Sequence, residues 1–390
     1  MKGNFKSRQV CQQGVCLFVL TLFALWNLIS GMPTRAEQPS GSRLASSPSR
    51  QTIRFPNGLP NHRYPRVATF QWSGAPPEWY AKHDLVDIGD HDPALARAIK
   101  TINPNTIILP TQDWNAGAGI DPLPDQWITR NSLGKKINLY GPDTWYVDIT
   151  DFCPRVNGKR YNEALPDQVL SRIDLTVFDG VATDGLWSSP YSANGDIDLD
   201  RNGVNDFKEH GGDWVSDQLV RGIEKVLAGF RSRMAADKLI LVNSGGFHSF
   251  GWEYSNGVLM EHTSFLYSFG WFKGQLDGFM RKAPTPHVII IDGNPSEAVS
   301  FTPKPSKNDF RLMRFLLGCA LLGDAYISFT DIEAGEHYYT KYYDEYDVDL
   351  GYPTGPATEL RSDIWVRFFD LGAMVLNASG APKTVTDAEL

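Results

Sequence analysis

From Tyr64 onward, short apolar runs rich in β-branched residues alternate with stretches whose apolar positions recur every three to four residues. The first pattern belongs to buried strands and the second to amphipathic helices, so the alternation predicts βαβ units on a parallel sheet. Eight runs read as strands: 66–72, 105–114, 144–150, 176–185, 238–245, 257–263, 287–293 and 324–331. "DPALARAIKTI" predicts a helix capped by Asp92, with Pro93 at the first helical position, where no N–H is needed. Val215, Leu219, Ile223, Val226, Leu227 and Phe230 form a helical stripe along "DWVSDQLVRGIEKVLAGFRSRM". "NDFRLMRFLLGCALLG" is apolar on two sides and is expected against the sheet. Eight strands with interposed helices, and no G-x-G-x-x-G after the first, favour a closed (β/α)8 TIM barrel over an open doubly wound sheet.

The chain ends read differently. Lys2, Lys6 and Arg8, then the apolar run Val15 to Ser30, then small residues, predict a signal peptide over 1–36 with cleavage after Ala36. The alternative is an uncleaved anchor, the run being slightly short of the ~20 residues a membrane span needs. Either way the protein is expected to be secreted, periplasmic or held at the cell surface, and to meet a membrane only through this segment. Residues 37–63, rich in Ser, Arg and Pro, read as a linker to a barrel over 64–351. Residues 352–390 read as a C-terminal helix and β extension.

Composition narrows the function. The 42% hydrophobic content supplies a globular core, and a net charge of -8 argues against a nucleic-acid partner, which would want a basic field. Two of the four cysteines, Cys11 and Cys16, belong to the leader; Cys153 and Cys319 are too far apart in sequence for a metal-ligand spacing and could pair, but read better as two lone buried thiols.

In a parallel barrel the catalytic groups gather at the C-terminal ends of the strands. Here those ends carry Gln71 and Trp72, Asp113 and Trp114, Asp148, Asp184, Asn243, Glu261, Asp292, and Asp331 or Glu333. An Asp after a strand is commonly a turn starter, but a polar residue at nearly every end points to a polar ligand. Asp184 and Glu261 end the fourth and sixth strands, flank the fifth, and so face one mouth. Cleaving a glycosidic bond needs two carboxyl groups, one to give a proton and one to attack or to activate water. The same pair could instead be an Asx-turn residue and an ion-paired surface acid.

The stretches "YPRVATFQWSGAPPEWYAKHDLVDIG", "FDGVATDGLWSSPY", "DIDLDRNGVNDF" and "VLMEH" resemble the group described as hypothetical glycosyl hydrolase family 15. That group looks related to the TIM-barrel glycosidases that include the endo-polygalactosaminidases. The resemblance runs from about Tyr64 to Leu376. It implies a barrel, a carbohydrate substrate, and acidic residues at strands four and six, which are Asp184 and Glu261 here; no organic cofactor is expected. In a retaining mechanism, with the carboxyls about 5–5.5 Å apart, Asp184 would be the nucleophile and Glu261 the acid/base; a gap of about 6.5–9.5 Å would make the mechanism inverting. Sugar rings also want flat apolar faces, so Trp72, Trp114 and Trp187 are expected to line the substrate with Asp113, Asp148, Asn243 and Asp292. Trp145, Trp252 and Trp271 are further candidates, and the Tyr-rich run 336–352 could wall the cleft or pack on the tail.

"DLDRNGVNDFKE" matches the D-x-[DN]-x-[DN]-G-x5-E calcium loop throughout. Asp198, Asp200, Asn202, the Val204 carbonyl, Asp206 and Glu209 stand at its ligand positions, with Gly203 at the sharp turn. The upstream "SPYSANGDI" is not helical, so this is a Ca2+ loop without a full EF-hand, in a structural role. A solvated acidic loop is the plainer reading.

Other barrel chemistries fit less well. No H-x-H or H-x-x-x-H pair exists for a metal-dependent hydrolase, and no Lys ends a strand for a Schiff-base lyase. The chief rival is a non-catalytic glycan-binding barrel, which would keep the aromatic residues without needing the acid pair.

Overall fold

A computed structural model describes residues 17–20, 53–71, 75–89, 91–117, 120–139, 144–190, 193–244, 248, 250–261, 268–293, 307–329, 342–379, 383–386 and 389–390. Its centre is one parallel sheet of eight strands in sequence order: β1 (Ala68–Gln71), β2 (Leu85–Ile88), β3 (Ile107–Asp113), β4 (Gly180–Asp184), β5 (Leu239–Asn243), β6 (Gly257–Met260), β7 (Ile289–Gly293) and β8 (Ala325–Phe329). A parallel bridge between Val67 and Ile327 brings the last strand back beside the first, the Ile327 N–H donating to the Arg66 carbonyl at 2.9 Å. The sheet is a (β/α)8 barrel, as the alternation of runs predicts.

One of the eight predicted strands is misplaced and one real strand was missed, and the two errors offset one another. Residues 144–150 are not in the barrel: Trp145 and Val147 make isolated antiparallel bridges to Asn138 and Ile128, inside the excursion that follows β3. The strand that takes the vacated place in the order is Leu85–Ile88, four residues that the sequence reading passed over. Apolar alternation favours an extended chain but does not name its partner. The count of eight survives, and so do the ordinals of the fourth and sixth strands.

The helices α1 (Pro93–Ile102), α2 (Tyr161–Leu170), α3 (Gly212–Arg233), α4 (Phe269–Lys282) and α5 (Lys307–Leu321) pack outside the sheet. The Asp92 side chain accepts the Ala94 N–H at 2.8 Å and so caps α1 as expected. All six predicted stripe residues of α3 are buried. Side-chain parity then sorts the strands. Along β5, Ile240 and Val242 join the cluster that contains Val226 and Phe230 of α3, while Leu239 and Leu241 join Ala68, Phe70, Leu85, Leu109, Ala182, Leu259, Ile290 and Tyr326. The second set is the barrel interior, because successive side chains point to opposite faces of a strand.

The regular secondary structure of the C-terminal stretch is all β among the described residues. β9 (Thr358–Arg361), β10 (Ile364–Phe369) and β11 (Gly372–Asn377) form an antiparallel meander, and the helix expected in 352–390 is absent among the described residues. Aromatic and β-branched residues such as Trp365, Val366, Phe368 and Val375 suit a pleated surface better than a helix. The export-leader reading kept residues 1–36 apart from the fold; their Leu17–Leu20 stretch pairs antiparallel with β11. Among the described residues no helix is long and apolar enough to cross a membrane. Cys153 and Cys319 are free and buried.

Candidate active site

The interior rows of the barrel end in polar side chains. Asp87 follows Leu85, Asp113 follows Leu109 and Thr111, Asp184 follows Ala182, and Asn243 follows Leu241; Glu261 follows Leu259, Asp292 follows Ile290, and Ser328 follows Tyr326, each two residues on. All share the inward parity, so one polar layer lies over an apolar plug. Five of its members are carboxyl groups.

Asn243 organises the layer. Its Nδ2 donates to Asp184 Oδ1 at 2.9 Å and to Glu261 Oε2 at 2.9 Å. Those two oxygens are therefore at most 5.8 Å apart, twice the 2.9 Å bond. The two N–H bonds of a planar amide diverge by about 120°, which sets the oxygens roughly 5 Å apart. Asn243 is itself buried, so the bridge is made in a poorly solvated place. Asp184 Oδ1 also accepts the Gly185 N–H at 2.8 Å, and Gly185 takes a φ of 76°, a left-handed turn suited to glycine.

Electrostatics in this layer are unfavourable to charge. Burial first, then the charges of Asp113 and Glu261, push Asp184 up to about 7, against the pull of Gly185 and Asn243. Asp87 is pushed well above the ordinary carboxyl range by burial, then by Asp184, Glu261 and Asp292. Its Oδ1 is buried without a hydrogen-bond partner among the described residues. Burial and three neighbouring carboxyls thus disfavour the charged form of this acid beside the pair. The sequence reading missed Asp87 because it missed β2. The available signal was the single carboxyl inside the apolar "LVDIG".

The remaining expectations divide. Asp113 opposes Asp184 in the β3–β4 register and accepts the N–H groups of Asn115 and Ala116 at 2.9 and 3.0 Å. Asp292 is buried and accepts the Ser328 hydroxyl at 2.6 Å. Both belong to the mouth. Asp148 does not. It is buried in the excursion after β3, where Thr150 donates to it from both N and Oγ1 and Arg201 lies 3.5 Å away. Burial raises it to about 6, with the Thr150 bonds and Arg201 pulling the other way.

Trp114 is another correction. It is wholly buried and stacks on Phe230 of α3, with ring centroids 4.2 Å apart and planes 9° off parallel. Asp113 points inward, so its neighbour must point out under the helices. Trp187, directly after the Asp184–Gly185–Leu186 turn, is half-buried against the core and keeps part of its surface open. Lys136 and Lys282 lie over the rings of Trp145 and Trp252, and Trp271 is exposed on α4. Trp72, Asp331 and Glu333 lie outside the described residues, as does the Tyr-rich run before Tyr342. Tyr343 and Tyr346 are buried edge to face with one another, which is packing. Even so, the Asp292 charge reaches Tyr346, whose hydroxyl burial pushes well up.

The sequence-predicted Ca2+ loop lies in the excursion after β4. Asp200, Asp206, Glu209 and the unpredicted His210 each bring a ligand atom within 4.8 Å of the others. Both Asp198 oxygens accept backbone N–H groups, from Asn202 and Gly203.

A family model described as hypothetical glycosyl hydrolase family 15 matches residues 97–373. Among solved structures, Aspergillus fumigatus Ega3 in complex with galactosamine is similar at 8% identity over 70% of this chain and 94% of that one, with a TM-score of 0.42. The ligand-free cyclic α-maltosyl-(1→6)-maltose hydrolase of Arthrobacter globiformis is similar at 8% identity over 80% of this chain and 91% of that one, with a TM-score of 0.40. Neither likeness is deep enough to transfer a substrate. No curated protein matches.

Proposed function

Because the chain belongs to hypothetical glycosyl hydrolase family 15, a group of glycosidases, we propose that it cleaves O-glycosidic bonds of an oligo- or polysaccharide with Asp184 and Glu261, and with retention of configuration. The observation that carries this reading is the Asn243 bridge, 2.9 Å to each carboxyl. A water poised between two carboxyls needs them about 6.5–9.5 Å apart, whereas direct attack needs about 5–5.5 Å. The bridge holds them at the shorter spacing.

The shared proton sets the roles. As the general acid Glu261 enters the reaction neutral, and a neutral Glu261 no longer repels the ionised Asp184. The two N–H groups on Asp184 Oδ1 then favour its ionised form and leave Oδ2 to attack the anomeric carbon. Glu261 gives its proton to the leaving oxygen, and a bond forms between Asp184 and the sugar as the glycosidic bond breaks. Water, deprotonated by Glu261, then releases the sugar from Asp184. The partly open face of Trp187 suits a sugar ring beside the reacting bond, with Asp113 and Asp292 as acceptors for hydroxyls. The basic, apolar and small-residue pattern of residues 1–36 supports export, where such polymers are met.

The test begins with a polysaccharide panel scored by new reducing ends, which also separates a glycosidase from a glycan-binding barrel. On the cleaved substrate, proton NMR of the first-formed anomer is expected to show retention. A 2-fluoroglycoside of the same sugar should leave a covalent adduct on Asp184 by peptide mass spectrometry. An inverted first product would sink the direct-attack reading, and binding without cleavage across the panel would favour the lectin-like one.

A further inference from the structure

The excursion after β4 holds a second cluster of carboxyl groups that the glycosidase reading does not use. Its backbone is already wound for a cation. Gly203 takes a φ of 85°, and Asp198 accepts the Asn202 and Gly203 N–H groups at 3.0 Å each, which fixes the loop's sharp turn. The Asn202 amide nitrogen sits between Asp200 Oδ2 at 3.1 Å and Glu209 Oε2 at 2.7 Å. His210 Nε2 lies near the same two oxygens, 3.5 Å from Asp200 Oδ2 and 3.6 Å from Glu209 Oε2.

An independent observation points to a ligand. Asp206 is wholly buried, its Oδ2 accepts the Leu199 N–H at 2.5 Å, and its Oδ1 has no hydrogen-bond partner among the described residues. A ligand atom of this buried carboxyl lies within 4.8 Å of ligand atoms from Asp200 and Glu209. Buried carboxylate oxygens are costly unless something satisfies them.

We propose that this loop binds one Ca2+ ion through Asp198, Asp200, Asn202, the Val204 carbonyl, Asp206 and Glu209. The oxygen-only donor set favours a hard cation, and the flexible, carboxylate-rich loop favours Ca2+ over Mg2+, which demands a tighter octahedron. A half-turn of the Asn202 amide exchanges its nitrogen for its oxygen and opens the space between Asp200 and Glu209. His210, 3.5 Å from Asp200 and with its ring tilted against Trp214, borders the cluster as a nitrogen donor that Ca2+ does not require.

The ion would act as a staple. Arg201, inside the loop, donates to the Gln126 carbonyl at 2.8 Å and lies 3.5 Å from Asp148. The Asp198 N–H donates to the Arg130 carbonyl at 2.9 Å, and Ser132 donates to Asp196. The loop thus joins the excursion after β4 to the one after β3, on the Asp113 and Asp184 side of the mouth.

The experiment uses the full chain stripped with EDTA and titrated with CaCl2 by calorimetry, with thermal melts at each end point. One saturable Ca2+ per chain, a melting temperature raised by a few degrees, and weaker binding of Mg2+ are expected. Glu209→Gln should weaken Ca2+ by about tenfold or more through loss of the bidentate ligand. Asp200→Asn, which keeps an oxygen donor, guards against a misfolded first variant and should weaken binding less. Asp184→Asn should leave Ca2+ affinity unchanged, which separates this proposal from the glycosidase reading. Absence of saturable binding at millimolar Ca2+, or Glu209→Gln binding as tightly as the parent, would overturn it.

Discussion

At the N-terminal end of the barrel, Arg66 lies over the rings of Tyr64 and Tyr326, with 4.4 and 5.6 Å to the centroids. There Arg367 and the Tyr64 hydroxyl both reach Asp324, at 3.3 and 2.7 Å. Burial would raise Asp324, but His287, Arg66, Tyr64 and Arg367 together hold it well below the ordinary carboxyl range. At the C-terminal end, the acids of the mouth are compensated by amide and hydroxyl donors, and Asp184 and Asp87 rise. The same residue type is thus kept charged at one end and pushed toward its neutral form at the other. Paired charges stiffen a fold. Carboxyls short of compensation store a proton that chemistry can use.

Exchanging acid for amide at each end is the strongest way to break this contrast. Asp184→Asn should lower kcat/KM by about 10³ or more, a loss of general catalytic groups. Its melting temperature at pH 8 should equal or exceed the parent's, because a strained acid has gone. Asp324→Asn should do the reverse, lowering the melting temperature while kcat/KM changes only a few-fold. Equal loss of activity in the two variants would mean that the ends do not divide the labour.

A second comparison concerns tryptophan. Trp114→Ala removes a fully buried ring and should cost about 3–5 kcal/mol of stability with KM unchanged, as judged by denaturant melts and kinetics. Trp187→Ala should cost less stability and raise KM. If Trp114→Ala alone raised KM, the outward placement of that ring would be wrong.

The smallest expected effect is in pH dependence, and its sign differs between the ends. Asp184 rises from 3.8 to about 7 on folding, so the stability from its bound proton is present below about pH 4 and lost as pH rises through 7. Asp324 is lowered on folding, so its contribution is present above the unfolded value near 3.8 and lost as pH falls below it. Melting curves from pH 3 to 9 should therefore flatten on the alkaline side in Asp184→Asn and on the acid side in Asp324→Asn.

Periodicity made much of this molecule legible in its sequence. Buried helix faces and inward strand rows must repeat at 3.6 and 2 residues to exclude water, and that requirement marks α1, α3 and seven barrel strands in the bare chain. The polar residues that end those rows, Asp184, Asn243, Glu261 and Asp292 among them, followed from the same repeat. Partner choice lies beyond it. Whether 144–150 or 85–88 enters the barrel depends on hydrogen bonds to strands far away in the chain. Asp148 was lost and Asp87 overlooked on that one point, and the face presented by Trp114 was decided by a single step of parity. The bridge from Asn243 to both acids, and the pressure that lifts Asp184, exist only once distant strand ends are gathered where water is scarce, because charge interaction depends on distance and solvent rather than on order along the chain.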